Sequence, residues 1–230
     1  MTSLRAQKKR ATAQGLADAA YALATLHGFE SVTTDDIASN AGVSRRTFAN
    51  YYANKHAAVV DGFIQHLGIP IVRRDDPVDP GALPETFDEL VDSAQSFISG
   101  VFTEGSRSGH MQKFAKMVKE NPGLEPYIHA VFLEFQNSQS HRILSERFGS
   151  VKVSLFIGAA IGTLGATLRL VLGPHAIHRD TPPLRGMAAA QGQSESQSAP
   201  TPLLTPEDIT KILAHIDHAF TYLRHGFADQ

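Results

Sequence analysis

Thr33 to Lys55 reads TTDDIASNAGVSRRTFANYYANK, and the fold of the whole chain turns on this stretch. Thr33 opens a T-x-x-D pattern with Asp36, in which the threonine hydroxyl caps exposed N–H groups while Asp35 and Asp36 favour the positive end of a helix over about Thr34 to Ala41. Gly42 permits a sharp turn, Val43 buries in the corner, and Ser44 is a good N-cap for a short third helix. Two short helices joined by a tight A-G-V-S corner make a helix-turn-helix, whose second helix is slim enough to enter the major groove of DNA. At about 100° per residue, Phe48, Tyr51 and Tyr52 share one arc and face inward. Arg46 and Asn50 sit opposite, one turn apart, with Ala49 beside them and Arg45 and Thr47 on the flanks.

That outer face has the chemistry of base readout. Arginine bonds guanine O6 and N7 together, asparagine does the same to adenine N6 and N7, and Ala49 offers a small apolar contact to a thymine methyl. Lys55 and the N-terminus of the next helix suit a phosphate, through charge and free N–H groups. A merely solvated polar face has the same periodicity, so spacing alone does not choose between the two.

Outward from this motif, Leu16, Ala19, Ala20, Leu23 and Ala24 recur at helical spacing, which predicts helix one over about Thr12 to His27, stopped by Gly28. Asn54 caps a fourth helix over about Lys55 to Leu67. A loop marked by Pro70, Pro77, Pro80, Gly81 and Pro84 follows. Beyond it Phe87, Leu90, Val91, Ala94, Phe97, Ile98 and Val101 predict an amphipathic helix, and a shorter one from about Met111 to Lys119 ends at Asn121-Pro122. A long helix is expected from about Gly123 to Phe148. Val151 to Leu172 carries two stripes: Ile157, Ile161, Leu164, Leu168 and Val171 are large, while Gly158, Gly162 and Gly165 leave the adjacent face flat for a close partner. Residues 174–204 are rich in Pro, Gln, Ser and Ala and read as a disordered insertion. Thr205 and Pro206 start a final helix, about Glu207 to Phe227, with Ile209, Ile212, Leu213, Ile216, Phe220 and Leu223 on one face. No credible strand pair appears.

Composition bounds the rest. The 230 residues, 42% hydrophobic and 19% charged, have room for two small domains with real cores. Cysteine is absent, which excludes disulfides, thiolate metal sites and thiol nucleophiles, and suits a reducing cytoplasm, the expected location. Residues 1–60 carry seven Lys/Arg against four acids, a net of +3, which leaves −5 for the remaining 170. A basic end on an acidic chain is the footprint of a module that meets a polyanion. Gln14, Asp18 and His27 interrupt any signal-peptide core. The longest uncharged run, Val153 to Leu168, has 16 residues, short of the roughly 20 that span a bilayer, so no membrane partner is expected.

The run GF-x-x-V-TT-x-DIA-x-x-AGVS-x-x-TF-x-x-YY-x-x-K, from Gly28 to Lys55, resembles the N-terminal signature of the TetR family of bacterial repressors. The resemblance covers about the first quarter of the chain and implies an all-α homodimer. Residues 1–67 would be the helix-turn-helix domain, with a basic arm over 1–11, and 68–230 a helical ligand-binding and dimerisation domain. It implies that Arg45, Arg46, Ala49 and Asn50 face the bases of operator DNA and that Thr34, Thr47, Tyr51 and Lys55 meet the backbone, with Ser44 in the same DNA-binding set. Ala49 departs from the pattern, since the family often has an aromatic side chain there. The last two long helices would pair with their two-fold mates as a four-helix bundle, through Gly158, Gly162, Gly165, Ile216 and Phe220. A small apolar or amphipathic effector would release the DNA. Phe63, Phe87, Phe97, Phe102, Met111, Phe114, Met117, Phe132 and Phe135 either line its pocket or form the domain core.

Rival readings are poorer. His175-x-x-His178 and His215-x-x-His218 invite a metal, but no cysteine or H-E-x-x-H pattern accompanies them, so neither a metal nor another cofactor is expected. There is no P-loop and no G-x-S-x-G, which argues against an enzyme. A membrane-associated or structural helical dimer, driven by G-x-x-x-G at Gly158 and Gly162, is the alternative of another class, and it leaves the helix-turn-helix unexplained.

Overall fold

The computed structural model describes residues 4–69, 78–172 and 205–225. All regular structure among them is helical: α1 (Leu4–His27), α2 (Thr34–Asn40), α3 (Arg45–Ala49), α4 (Lys55–His66), α5 (Phe87–Arg107), α6 (His110–Glu120), α7 (Glu125–Gln136), α8 (Gln139–Phe148), α9 (Ser150–Leu172) and α10 (Pro206–His225). Single 3₁₀ turns lie at Pro80–Ala82 and Pro122–Leu124. The expected all-α architecture with an N-terminal helix-turn-helix is what the chain adopts.

Local chemistry sets the helix starts. Thr33 accepts the Asp36 N–H at 3.2 Å while Asp36 takes the Thr33 N–H at 2.9 Å, a reciprocal box that satisfies two otherwise orphaned donors. Thr86 with Glu89 does the same for α5, and Thr205 with Asp208 for α10. Ser44 and Asn54 cap α3 and α4 by accepting the N–H groups of Thr47 and Ala57. At the corner between α2 and α3, Gly42 takes a φ of 68°, a left-handed conformation open to glycine at little cost.

Two expectations need correction. Helix one begins at Leu4 instead of Thr12, because Leu, Arg, Ala, Gln and Lys are all good helix formers and nothing over residues 4–11 breaks the chain. The long helix expected over Gly123 to Phe148 is three pieces. Pro122 and Gly123 sit in a 3₁₀ turn, and Asn137 ends α7 where Ser138 starts α8 by accepting the His141 N–H at 3.2 Å. The insertion at 174–204 falls outside the described residues.

Two hydrophobic cores hold the helices. The first gathers Leu16, Ala17, Ala20 and Tyr21 of α1, Ile37 of α2, Phe48 and Tyr52 around α3, and Ala58, Val59, Val60 and Ile64 of α4. Burying side chains such as Leu16, Ile37 and Val59 stabilises this unit by about 1.5–3 kcal/mol each. The closest approach is at Gly62, where a Cβ would stand 2.1 Å from the Ala17 carbonyl oxygen and 2.6 Å from Tyr21 Cβ. Phe114, Met117 and Val118 of α6 and Leu124 complete this first core, and the Phe63 and Phe114 rings stack with centroids 3.7 Å apart. The second core takes Val91 and Phe102 of α5, Leu144 of α8, Val153, Phe156, Ile157 and Ala160 of α9, and Ile212, Ile216 and Phe220 of α10.

Candidate nucleic-acid interface

The recognition face is built by anchoring α3 from behind. Phe48 is buried, and Tyr52, just beyond the helix, is buried as well and donates its hydroxyl to the Ala13 carbonyl and the Asp61 carboxylate, each at 3.0 Å. Tyr51 is half-buried against the same core. With those rings turned inward, Arg45, Arg46, Ala49 and Asn50 are exposed on the opposite side, and Thr47 is half-buried between the two faces. The Arg45 guanidinium pairs with Asp35 at 3.2 Å across the α2–α3 corner, both side chains well exposed, so the pair is worth at most about 1 kcal/mol and yields readily to a competing anion. Ser44 is occupied as the α3 cap, with its hydroxyl 2.9 Å from that of Thr47, and Thr34 is half-buried in the first turn of α2. Asp36 is held below the ordinary carboxylate range by the Thr33 hydroxyl and then by the Thr33 backbone N–H.

Lys55 stands apart from the expected set. Its ammonium donates to the carbonyls of Phe29, Val32 and Glu30 at 2.8, 3.1 and 3.4 Å and lies 4.3 Å from the centre of the Phe29 ring. All three protons are thereby committed to the loop between α1 and α2, which the spacing of residues gave no means to foresee. Its neighbours bind the other way, toward α7. The Asn54 side-chain amide donates to the Tyr127 hydroxyl at 2.6 Å, and His56 stacks on the Tyr127 ring at 5.4 Å. Burial, with the adjacent Lys55 charge, holds the His56 pKa below its ordinary value of 6.5. At the other end of α4 the Tyr21 hydroxyl donates to the His110 carbonyl at 3.3 Å, and the His66 and His110 rings lie 4.8 Å apart. The helix that follows the recognition element is thus tied to the rest of the chain at both ends.

The helical start of α1 runs beside α3. A groove of ≈ 560 Å³ lies between them, lined by Leu4, Arg5, Lys8, Lys9, Thr12, Thr47, Asn50 and Tyr51. The alignment of those cations with α3 was missed from sequence, where only the basic charge of the N-terminus signalled it.

The residues expected to line an effector pocket do not come together. Phe63, Phe114 and Met117 belong to the first core. Phe102 fills the second, with Phe87, Met111 and Phe135 packed against it. Phe97 is 44% exposed on α5, and the side chain of Phe132 is outside those described. Of the expected dimer contacts, Ile216 and Phe220 require correction, since they are 0% and 1% exposed in the chain's own second core and have no surface to offer a partner. Gly158 and Gly162 are exposed, with open space where a Cβ would stand, and they continue a face that holds Val151 and Leu155, 71% and 69% exposed. Gly165 lies further along α9, outside the residues whose surroundings are described.

Among the described residues no group of three or more His, Asp or Glu side chains is placed to hold a metal, and no helix is long and apolar enough to cross a membrane. Residues 16–58 match the family described as bacterial regulatory proteins, tetR family. A 61-residue stretch is 41% identical to a Mycobacterium tuberculosis protein that bears the name mycofactocin biosynthesis transcriptional regulator MftR. The match spans 26% of this chain and 31% of that protein, so the likeness covers less than a third of either.

Proposed function

We propose that this chain, a TetR-family protein by its N-terminal domain, is a transcriptional repressor that grips operator DNA as a homodimer and lets go when a small molecule occupies its second domain. The observation that carries the reading is the face of α3: Arg46, Ala49 and Asn50 stand out in solvent on a helix whose other side is fixed by Phe48 and Tyr52. An arginine and an asparagine one turn apart on a rigid, slim helix suit the acceptors of guanine and the donor–acceptor pair of adenine. The test is selection of bound duplexes from a random pool, repeated with Arg46→Ala. A cost of about 1–3 kcal/mol with preference lost at one position per half-site supports the groove assignment, and an unchanged preference overturns it.

The dimer reading is supported by the flat apolar face Val151, Leu155, Gly158 and Gly162 on α9, at the 4,3,4 spacing of a helix–helix seam. The effector is amphipathic. What supports polar contacts beside apolar ones is that the described part of the second domain holds four buried polar atoms with no protein partner, Ser106 Oγ on α5, Gln112 Oε1 on α6 and His141 Nε2 and Ser145 Oγ on α8, and such groups cost about 1–3 kcal/mol each when left unpaired. An effector that shifts α6 or α7 would reach α4 through the His66–His110 ring contact and the Asn54–Tyr127 hydrogen bond, and so the recognition helix that precedes α4.

A further inference from the structure

Asp35 and Arg45 meet across the corner of the helix-turn-helix, with Arg45 Nη1 donating to Asp35 Oδ2 at 3.2 Å. The helix dipole alone accounts for an acid in the first turn of α2, and the capping box there is made by Asp36, not Asp35. What the dipole does not account for is the direction of the carboxylate, out of α2 and onto the first residue of α3. A carboxylate on the face offered to a polyanion also weakens binding to it. Arg45 shares its stripe of α3 with Ala49, one turn on and exposed, and a methyl group gives a long side chain little to pack against. Among the described residues, the Asp35 carboxylate is therefore the group that fixes where the Arg45 guanidinium points.

We propose that Asp35 is a positioning residue for base readout, holding the Arg45 guanidinium so that it meets a guanine edge in preference to a phosphate. This rests on the reading of α3 as a DNA-recognition helix. The guanidinium carries five N–H donors in a planar fork, and the pair with Asp35 engages it through Nη1. The donors left on Nη2 and Nε suffice for the O6 and N7 acceptors of guanine, so the base adds two hydrogen bonds without displacing the carboxylate. A phosphate accepts from the same fork but brings a second negative charge against Asp35, so it holds Arg45 only by taking it from the carboxylate. Exchanging one anion for another gains little where adding a neutral base gains two bonds, and the discrimination between base and backbone is that difference.

The experiment selects bound duplexes from a random pool with the full chain. It then measures affinity for the selected duplex, for single-position variants of it, and for unselected duplex across a range of salt. The natural chain is compared with Arg45→Ala, Asp35→Asn and the two combined, and with Glu120→Gln, which removes the acid of another exposed pair, that with Lys116 on α6. Arg45→Ala is expected to lose about 5- to 150-fold discrimination at one position per half-site. Asp35→Asn should lose about two- to fivefold at that same position, and the slope of log affinity against log salt on unselected duplex should steepen by about 0.9 per protomer as Arg45 turns to a phosphate. The combined variant should discriminate as Arg45→Ala does alone, and Glu120→Gln should change neither quantity. Both side chains of the pair are well exposed, so each variant should keep the circular dichroism of the natural chain. Natural discrimination in Asp35→Asn overturns the proposal while leaving the α3 reading in place. A loss at a position that Arg45→Ala leaves intact gives Asp35 a base contact of its own, such as a cytosine N4 amine, and overturns it too. A natural chain that selects no sequence from the pool overturns both readings.

Discussion

Two basic side chains at neighbouring helices have opposite roles. Arg46 is exposed, whereas Lys55 commits its ammonium to three carbonyls. Arg46→Ala is therefore expected to leave the urea midpoint unchanged and to weaken sequence preference. Lys55→Met keeps most of the stem's apolar bulk and removes the charge, and should cost about 1–3 kcal/mol of stability with no change in the salt slope. A Lys55→Met protein of natural stability whose slope drops by about one would restore the phosphate contact expected from the sequence. His110 makes a separate prediction. Burial first, then the His66 and Lys113 charges, lower its pKa from the ordinary 6.5, and His56 shifts the same way. The unfolded chain thus takes up a proton before the folded one as pH falls. The corresponding stability is complete above about pH 6.5 and is lost as pH drops through the folded values. Urea unfolding at about pH 7.5 and about pH 5.5 should show the decline, and His110→Gln should remove part of it.

At the level of helices, the two kinds of glycine separate cleanly. Gly62 faces the Ala17 carbonyl, a backbone atom that cannot swing aside, so Gly62→Ala must push α1 from α4 and should cost about 1–3 kcal/mol in thermal or urea unfolding. Gly162 faces open space, so Gly162→Leu should unfold like the natural chain yet scatter light as a monomer or an aggregate, if α9 is the seam between protomers. A stable dimer of that variant moves the interface elsewhere. The helix starts were legible because a cap is a local event: Thr33 with Asp36, Ser44, and Asn54 each satisfy donors within three residues of themselves. The inward face of α3 was legible for the same reason, its periodicity being set by Phe48, Tyr51 and Tyr52. What could not be read was set by distant partners. Nothing near Lys55 in sequence announces that it reaches back to Phe29, and nothing near Ile216 and Phe220 tells which of two possible neighbours, its own chain or a copy, buries them. The break at Asn137-Ser138 had a local signal, a polar pair with a capping serine, that the apolar residues on either side outweighed.

For the molecule as a whole, the proposed function implies that the ties at both ends of α4 would make DNA and effector compete for one conformation. A two-fold dimer engages both half-sites when its recognition helices stand about one DNA turn apart, and a ligand that favours another spacing lowers operator affinity. By linkage, operator must weaken the binding of that ligand by the same factor, which reciprocal titration measures. Equal ligand affinity with and without operator, for a compound shown to occupy the second domain, would exclude it as the inducer. The first core has a consequence for transplanting this recognition unit. Phe114, Met117, Val118 and Leu124 close that core from beyond residue 67, so the unit that is contiguous in sequence is not the unit that is complete in space. A chimera that joins residues 1–67 to a foreign second domain would present Phe63 and Tyr21 to surfaces never shaped for them, and should express poorly or melt early. Exchanging residues 33–52 alone crosses no such seam, because the inner contacts of Phe48 and Tyr52 are made with α1 and α4. If α3 reads DNA as proposed, a new DNA target would be reached in small pieces, by regrafting the corner and its short helix while the body beneath is kept whole.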